Sequence, residues 1–216
     1  MSGDADETAD WPVALAGVTE SVVATLGPND LWNVAALGLH APDHDGRSAT
    51  APVRARTWGR TRTWRNFRER GGGVVQFVTD PREFVDAAVT IREEPTPVLD
   101  SADAWAEVDV ERVDAGERGG TQWVDWHLHV VDAAVEHTGV RTINRGFGAV
   151  IDATVAASRL DVPAYDTAAL VERLRYFAAV VDRCGGPAER EAFETLTAET
   201  GWREYDVAGE TDAGAE

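Results

Sequence analysis

Seven of the chain's twenty basic residues crowd into Arg54–Arg70, against a single acid, Glu69. Thr57, Thr61, Thr63 and Asn66 are interleaved with them. The formal net charge of the chain is -18, so a local cationic stretch calls for a negative partner. Guanidinium groups give planar, charge-assisted donors that suit a phosphate, and threonine hydroxyls and backbone N–H groups can complete a cradle. The competing reading is that these arginines are solvated, or paired with carboxylates of an acidic surface. Trp58, Trp64 and Phe67 favour a folded, half-buried segment over a free basic arm.

Other groups could do chemistry but are weaker. His127 and His129 alternate with Asp125 on one strand face. A His-x-His pair can hold a metal, and a His/Asp pair can do acid–base work. Half-exposed strand histidines are the commoner case, and no metal is expected. Cys184 stands alone in an apolar stretch, which excludes an internal disulfide and a cysteine metal cluster. The chain holds no Gly-x-Ser-x-Gly, no Gly-x-Gly-x-x-Gly after a strand and no lysine for a Walker motif. Asn144-Arg-Gly146 is a polar helix start that could contact an anion or serve only as a cap.

All twenty basic residues are arginine, and acids number 38. Such a surface suits molar salt, where a Debye length of about 3 Å screens self-repulsion. It disfavours nucleic-acid binding, which needs a basic footprint. No apolar run approaches the length of a membrane span, and the N-terminal residues lack a leader pattern. A soluble, cytoplasmic protein of a halophile is expected.

The elements that must position these residues follow from periodicity and turn signals. Residues 12–26 and 31–39 read as two strands of a hairpin around Gly27-Pro-Asn-Asp30. In the second, Asn33-Val-Ala-Ala-Leu-Gly38 places small residues mid-strand, which lets a backbone approach a flat ligand or another strand closely. Residues 40–52 read as a surface loop and 53–58 as a strand. A short helix follows, capped by Thr61 or Thr63, whose free N–H groups offer an anion site. Residues 73–79 form a buried strand, and Asp80-Pro81 opens a second helix through Val89. Residues 92–104 read as a linker. Two strands, 105–113 and 121–131, flank a Gly-rich turn. Three helices follow: Asn144–Ser158, one capped at Asp166/Thr167, and Pro187–Thr200. Residues 1–11 and 203–216 read as disordered acidic tails.

Four motifs in this order carry a resemblance: Asn33-Val-Ala-Ala-Leu-Gly, Arg54 through Phe67, Gly73-Val-Val-Gln-Phe-Val-Thr-Asp-Pro, and Ile143-Asn-Arg-Gly with the helix after it. Together they resemble the archaeal DUF447 family, proteins similar to FMN-binding split barrels. The resemblance spans about residues 12–200. It implies an α+β fold: a six-stranded antiparallel split β-barrel over residues 12–138 with a C-terminal helical lobe over 139–202. It implies a homodimer with FMN near the subunit interface. Asn33, Val34, Ala35 and Ala36 would line the isoalloxazine through backbone groups. Arg56, Thr57, Arg60, Thr61, Thr63 and Asn66 would surround the phosphate, with Thr79 and Asp80 flanking the ring or ribityl chain. The family pattern usually has proline where Ala36 stands and often a small residue at Arg60. The resulting expectation is an FMN-binding flavoprotein, in one form an NAD(P)H-dependent flavin reductase, in the other a non-catalytic flavin-binding or oligomeric interaction module.

Overall fold

The computed structural model describes residues 10–42, 52–140 and 142–205. Six strands close on themselves. β1 (Val18–Leu26), β2 (Trp32–His40), β3 (Val53–Trp58), β4 (Gly72–Val78), β6 (Ala102–Arg118) and β7 (Thr121–Val135) run in the order β1-β4-β6-β7-β3-β2. The β1–β2 pairing shuts the ring, and every pairing is antiparallel. β5 (Arg92–Glu94) adds to the free edge of β2. This is the split β-barrel.

The period-two pattern sets which side of each strand faces in. On β3, Val53, Ala55 and Thr57 are buried, while Arg54 and Trp58 are exposed. The barrel core is built from Val23, Leu37, Leu39, Val53, Ala55, Val75, Trp126 and Leu128. Helix α1 (Arg62–Arg70) joins this core through Phe67, whose ring meets Trp126 edge-on at 5.5 Å between centroids. Gly71, at φ 78°, ends the helix and returns its N–H to Phe67.

Helix α2 (Pro81–Val89) covers the outer face of β1 and β2, where Val22 and Val34 meet Phe84, Ala87 and Leu99. Its other side, at Val85, enters a second core made by α3 (Arg145–Ala157), α4 (Thr167–Cys184) and α5 (Pro187–Thr200). Asn144 and Asp166 cap α3 and α4 through their side chains.

Several sequence expectations change. Residues 12–17 are not strand: Gly17 sits at φ 58° and starts β1 one residue later. Trp11, Val13 and Leu15 pack against the barrel core instead. The expected linker 92–104 contains β5 and the start of β6. The two strands of the following hairpin run to Arg118 and Val135, so they form an arm with a turn only at Gly119–Gly120. Trp202 is 1% exposed and begins a short 3₁₀ turn through Glu204, so residues 203–205 are folded. Residues 1–9, 43–51 and 206–216, which include most of both tails and of the 40–52 loop, lie outside the described residues. Among the described residues, no helix is long and apolar enough to cross a membrane.

Candidate functional site

The barrel is not sealed between β2 and β3. These strands pair only at Leu39 with Ala55 and His40 with Arg54. Beyond that point they diverge. β5 takes the same edge of β2 only at Trp32, Asn33 and Val34. Ala35, Ala36, Leu37 and Gly38 therefore have β1 on one side and, among the described residues, no strand on the other. In an antiparallel ladder, alternate residues direct their N–H and C=O groups to each side. Two residues of this run therefore present backbone groups to the gap. Arg56, Thr57 and Trp58 continue β3 along the facing edge, paired on their other side to Asp125, Val124 and Trp123 of β7.

Helix α1 begins at the open end of this split. Thr61 is its N-cap, extended at φ -67° and ψ 169°, and its hydroxyl accepts the N–H of Trp64 at 3.2 Å. The first N–H groups, on Arg62 and Thr63, have no intrahelical acceptor, and the helix dipole adds partial positive charge there. Arg60 and Thr61 are exposed, and Thr63 is buried. Arg62 donates to Glu93 at 2.9 Å, and Asn29 donates to the other oxygen of the same carboxylate at 3.2 Å. Glu93 stands opposite Asn33 on the β2–β5 ladder, so the helix start and the beginning of β2 share one corner.

Other members of the arginine stretch are held by the fold. Arg56 donates to both oxygens of Asp125 at 2.6 and 2.7 Å, and its guanidinium lies 4.0 Å from the Trp123 ring centroid. The hydrogen bond from Arg56 holds the Asp125 carboxyl below the usual carboxylate range, against the opposing effect of burial. Thr57 points into the barrel, where its hydroxyl accepts from the Trp126 indole at 2.9 Å. Asn66 is 1% exposed and donates to the Thr25 hydroxyl and carbonyl, tying α1 to the end of β1. Arg68 pairs with Glu69 on the same helix.

The remaining expected residues divide. Asn33 and Ala35 share the Leu37 face of β2, while Val34 is buried under α2 and Ala36 packs against the same cluster. Thr79 and Asp80 follow β4. Gln76 of β4 pairs with Val22, so the end of β4 lies beside the start of β1, whereas the α1 corner lies beside Thr25. At about 3.3 Å per residue, that puts Thr79 well over 10 Å from the α1 corner, at the opposite end of β1. Thr79 is exposed. Asp80 caps α2 through the Arg82 N–H at 3.0 Å, and the Arg82 guanidinium also donates to it, which lowers its pKa. His127 and His129 sit on the outer face of β7, with His129 3.4 Å from Glu111.

Two carboxylates, one at the α1–β2 corner and one on β1 beneath the helical lobe, carried no sequence signal. Glu93 lies in a three-residue strand between a helix and Pro95. Glu20, opposite Gly38 at the closed end, is pushed above its ordinary pKa by burial, with Arg159 pulling the other way. A strand pairing sets the place of each, and spacing alone does not reveal pairings.

The model of the family described as protein of unknown function DUF447 matches in its N-terminal domain at residues 19–137 and in its C-terminal part at residues 144–198. Among solved structures, an FMN-bound protein from Methanosarcina mazei, assigned to the same family, superposes with a TM-score of 0.69 at 23% identity, over 86% of this chain and 96% of that one. Flavoredoxin from Methanosarcina acetivorans superposes at 0.39 with 12% identity, over 62% and 79%. The styrene monooxygenase flavin reductase from Pseudomonas putida S12 superposes at 0.37 with 12% identity, over 55% and 81%. No functionally curated protein matches the sequence.

Proposed function

The chain belongs to the DUF447 family, and on that premise we propose that it is an FMN-binding flavoprotein whose cofactor occupies the split between β2 and β3. The observation that carries this reading is the juxtaposition of two features. An unpaired backbone edge at Ala35–Gly38 suits the polar rim of a flat ring, and the capped start of α1 suits a phosphate at its mouth. The FMN-bound Methanosarcina protein of the same family supports the choice of ligand.

The donor set fits FMN. In this reading the α1 N–H groups of Arg62 and Thr63, the Thr61 and Thr63 side chains and the exposed Arg60 hold the phosphate. Arg62 can add its guanidinium by leaving Glu93. Arg56, Thr57 and Asn66 support this corner from behind, since their side chains already have partners in β7 and β1. The backbone groups that the Ala35–Gly38 edge turns to the gap orient the ring, with Asn33 and Val34 beside it where β5 takes the same edge. We place Thr79 and Asp80 near its far edge, beyond the reach of the phosphate. Bound flavin supplies hydride chemistry, and the protein supplies position and electrostatics.

We read the redox partner as NAD(P)H and the assembly as a homodimer, with the outward face of β3 and β7, where Trp58 stays 39% exposed, against the second copy. The lysine-free acidic surface supports work in the cytoplasm of a halophile. A visible spectrum of protein purified in high salt tests the cofactor: a yellow chromophore, or saturable FMN titration, is expected, and neither appearing ends the reading. Anaerobic NADPH then separates the two forms of the proposal. Bleaching marks a reductase, and an unchanged spectrum marks a flavin carrier.

A further inference from the structure

The residues of β5 divide between two tasks. Arg92 anchors the strand. It donates to Glu94 and to Glu83 of α2, each at 2.7 Å, and to Asp86 at 3.4 Å. Those contacts, with the ladder to Trp32, Asn33 and Val34, fix β5 without help from the Glu93 side chain. Glu93 is turned to the α1 corner instead. One of its carboxylate oxygens accepts from Arg62 at 2.9 Å and the other from Asn29 at 3.2 Å. We propose that Glu93 is the resident anion of this corner and that a flavin phosphate takes its place on Arg62. Glu93 thereby sets how far the site prefers FMN over riboflavin, a role that rests on the flavin reading above.

Arg62 is the first residue of α1. Its N–H has no intrahelical acceptor, so one residue brings both a free backbone donor and a guanidinium to the helix start. The partial positive charge of a helix start attracts an anion, and the neighbouring strand supplies one in Glu93. The contact is a single donor–acceptor pair between side chains 41% and 32% exposed. Arg56 and Asp125 give the contrast: two hydrogen bonds, at 2.6 and 2.7 Å, onto a carboxylate only 11% exposed. An exposed one-point pair adds little to stability, so Arg62 can change partners at small cost.

A phosphate monoester is the stronger partner. It carries more negative charge than a carboxylate at neutral pH, offers three acceptor oxygens and can take a guanidinium on two prongs. Glu93 stays at the corner after the exchange, because Arg92 and the ladder hold β5 and Asn29 still holds the second oxygen. A phosphate therefore gains Arg62 only in competition with a carboxylate that remains beside it. Riboflavin lacks the phosphate and leaves the pair intact. Glu93 acts on the ligand through Arg62, as a positioning residue, and it moderates the preference for FMN.

The test is a double-mutant cycle on the full chain, titrated with FMN and with riboflavin. Molar salt is the right medium, since a Debye length of about 3 Å screens repulsion at a distance and leaves contacts. Glu93→Gln should tighten FMN by about threefold, as suits an exposed pair, and leave riboflavin unchanged. In an Arg62→Ala background the same substitution should leave FMN unchanged. Glu93→Asp keeps the charge but shortens the reach to Arg62, and it should tighten FMN in the same direction. Both Glu93 variants should unfold at the wild-type denaturant midpoint, because Arg92 anchors β5. The proposal is overturned if Glu93→Gln weakens FMN or leaves it unchanged, or if it tightens riboflavin equally. It is also overturned if the gain persists in full without Arg62, since Glu93 would then act by repulsion alone. A chain that binds both flavins yet fails the cycle ends this role and keeps the flavin reading. A chain that binds neither flavin in any background ends both.

Discussion

The arginine-rich stretch has two halves that look alike in sequence and do different things. In the strand half, Arg56 and Thr57 are tied across β7 to Asp125 and Trp126. In the helix half, Arg60 and Thr61 stand exposed at the start of α1, and Arg62 holds only a half-exposed carboxylate. A strand in a barrel has neighbours on its edges, so its outward side chains meet cross-strand partners at about 5 Å. A helix start has unpaired donors by construction and points them away from its own body. Equal composition therefore gives structural arginines in one half and available ones in the other.

The hinge between the halves is Phe67, and its removal should have the largest effect. Phe67 is 1% exposed, and it alone of the α1 side chains meets Trp126 ring to ring. Phe67→Ala leaves a cavity at the barrel end and should cost about 3–5 kcal/mol. Chemical denaturation would measure it. Because α1 would lose its seat, FMN affinity should fall too. A variant that lost stability yet bound FMN normally would break the link between the seat and the cradle.

Asp125→Ala comes next and acts on the strand half alone. It strips Arg56 of its bidentate acceptor in a part-buried position and should cost about 1–3 kcal/mol. FMN affinity should stay within twofold, since Arg56 is assigned to the barrel wall. A tenfold loss would return Arg56 to the phosphate. The same pair gives a pH signature. The Asp125 pKa is lower in the folded state, so its contribution is complete above the unfolded carboxylate value of about 3.9 and is lost as pH falls through the folded value. Asp125→Asn should flatten the acid limb of a stability profile in that window.

How much of this contrast was legible follows from where each partner lies. The alternation of β3, the Thr cap and the Trp64–Phe67 helix face are local patterns, and they give the strand, the cap and the core side correctly. The partner of Arg56 is 69 residues away, across a pairing that no spacing encodes. The same limit hid Glu93. β5 has three residues, all charged, and is followed by Pro95 and Pro97, a composition that reads as linker until an edge strand is placed beside β2. The outer part of the β6–β7 arm is not legible as strand because it carries Asp114, Gly116 and Glu117, residues poor in strand propensity. There cross-strand pairing outweighs local preference.

Thr61→Ala with Thr63→Ala turns to the helix half. Losing the Thr61 cap should cost about 1 kcal/mol of stability. The informative readout is ligand discrimination. FMN should weaken by about tenfold, or about 1.4 kcal/mol, relative to riboflavin, which lacks the phosphate. Equal losses for both ligands would mean that the hydroxyls shape the helix without touching the anion, and the two halves of the stretch would then be alike in serving only the fold.

Arg60→Ala should be the smallest change to the fold and sharpens the contrast most directly. Arg60 is exposed and forms no ion pair with another described residue, so stability should move by less than about 0.5 kcal/mol. If Arg60 meets the phosphate through solvent-exposed geometry, FMN should weaken severalfold in dilute buffer and much less at molar salt, where a Debye length of about 3 Å screens the contact. The salt dependence is what a structural role would not produce. A side chain that only filled space would lose the same amount in both buffers, whereas a charge reaching for an anion loses its advantage as ions crowd the corner between α1 and β2.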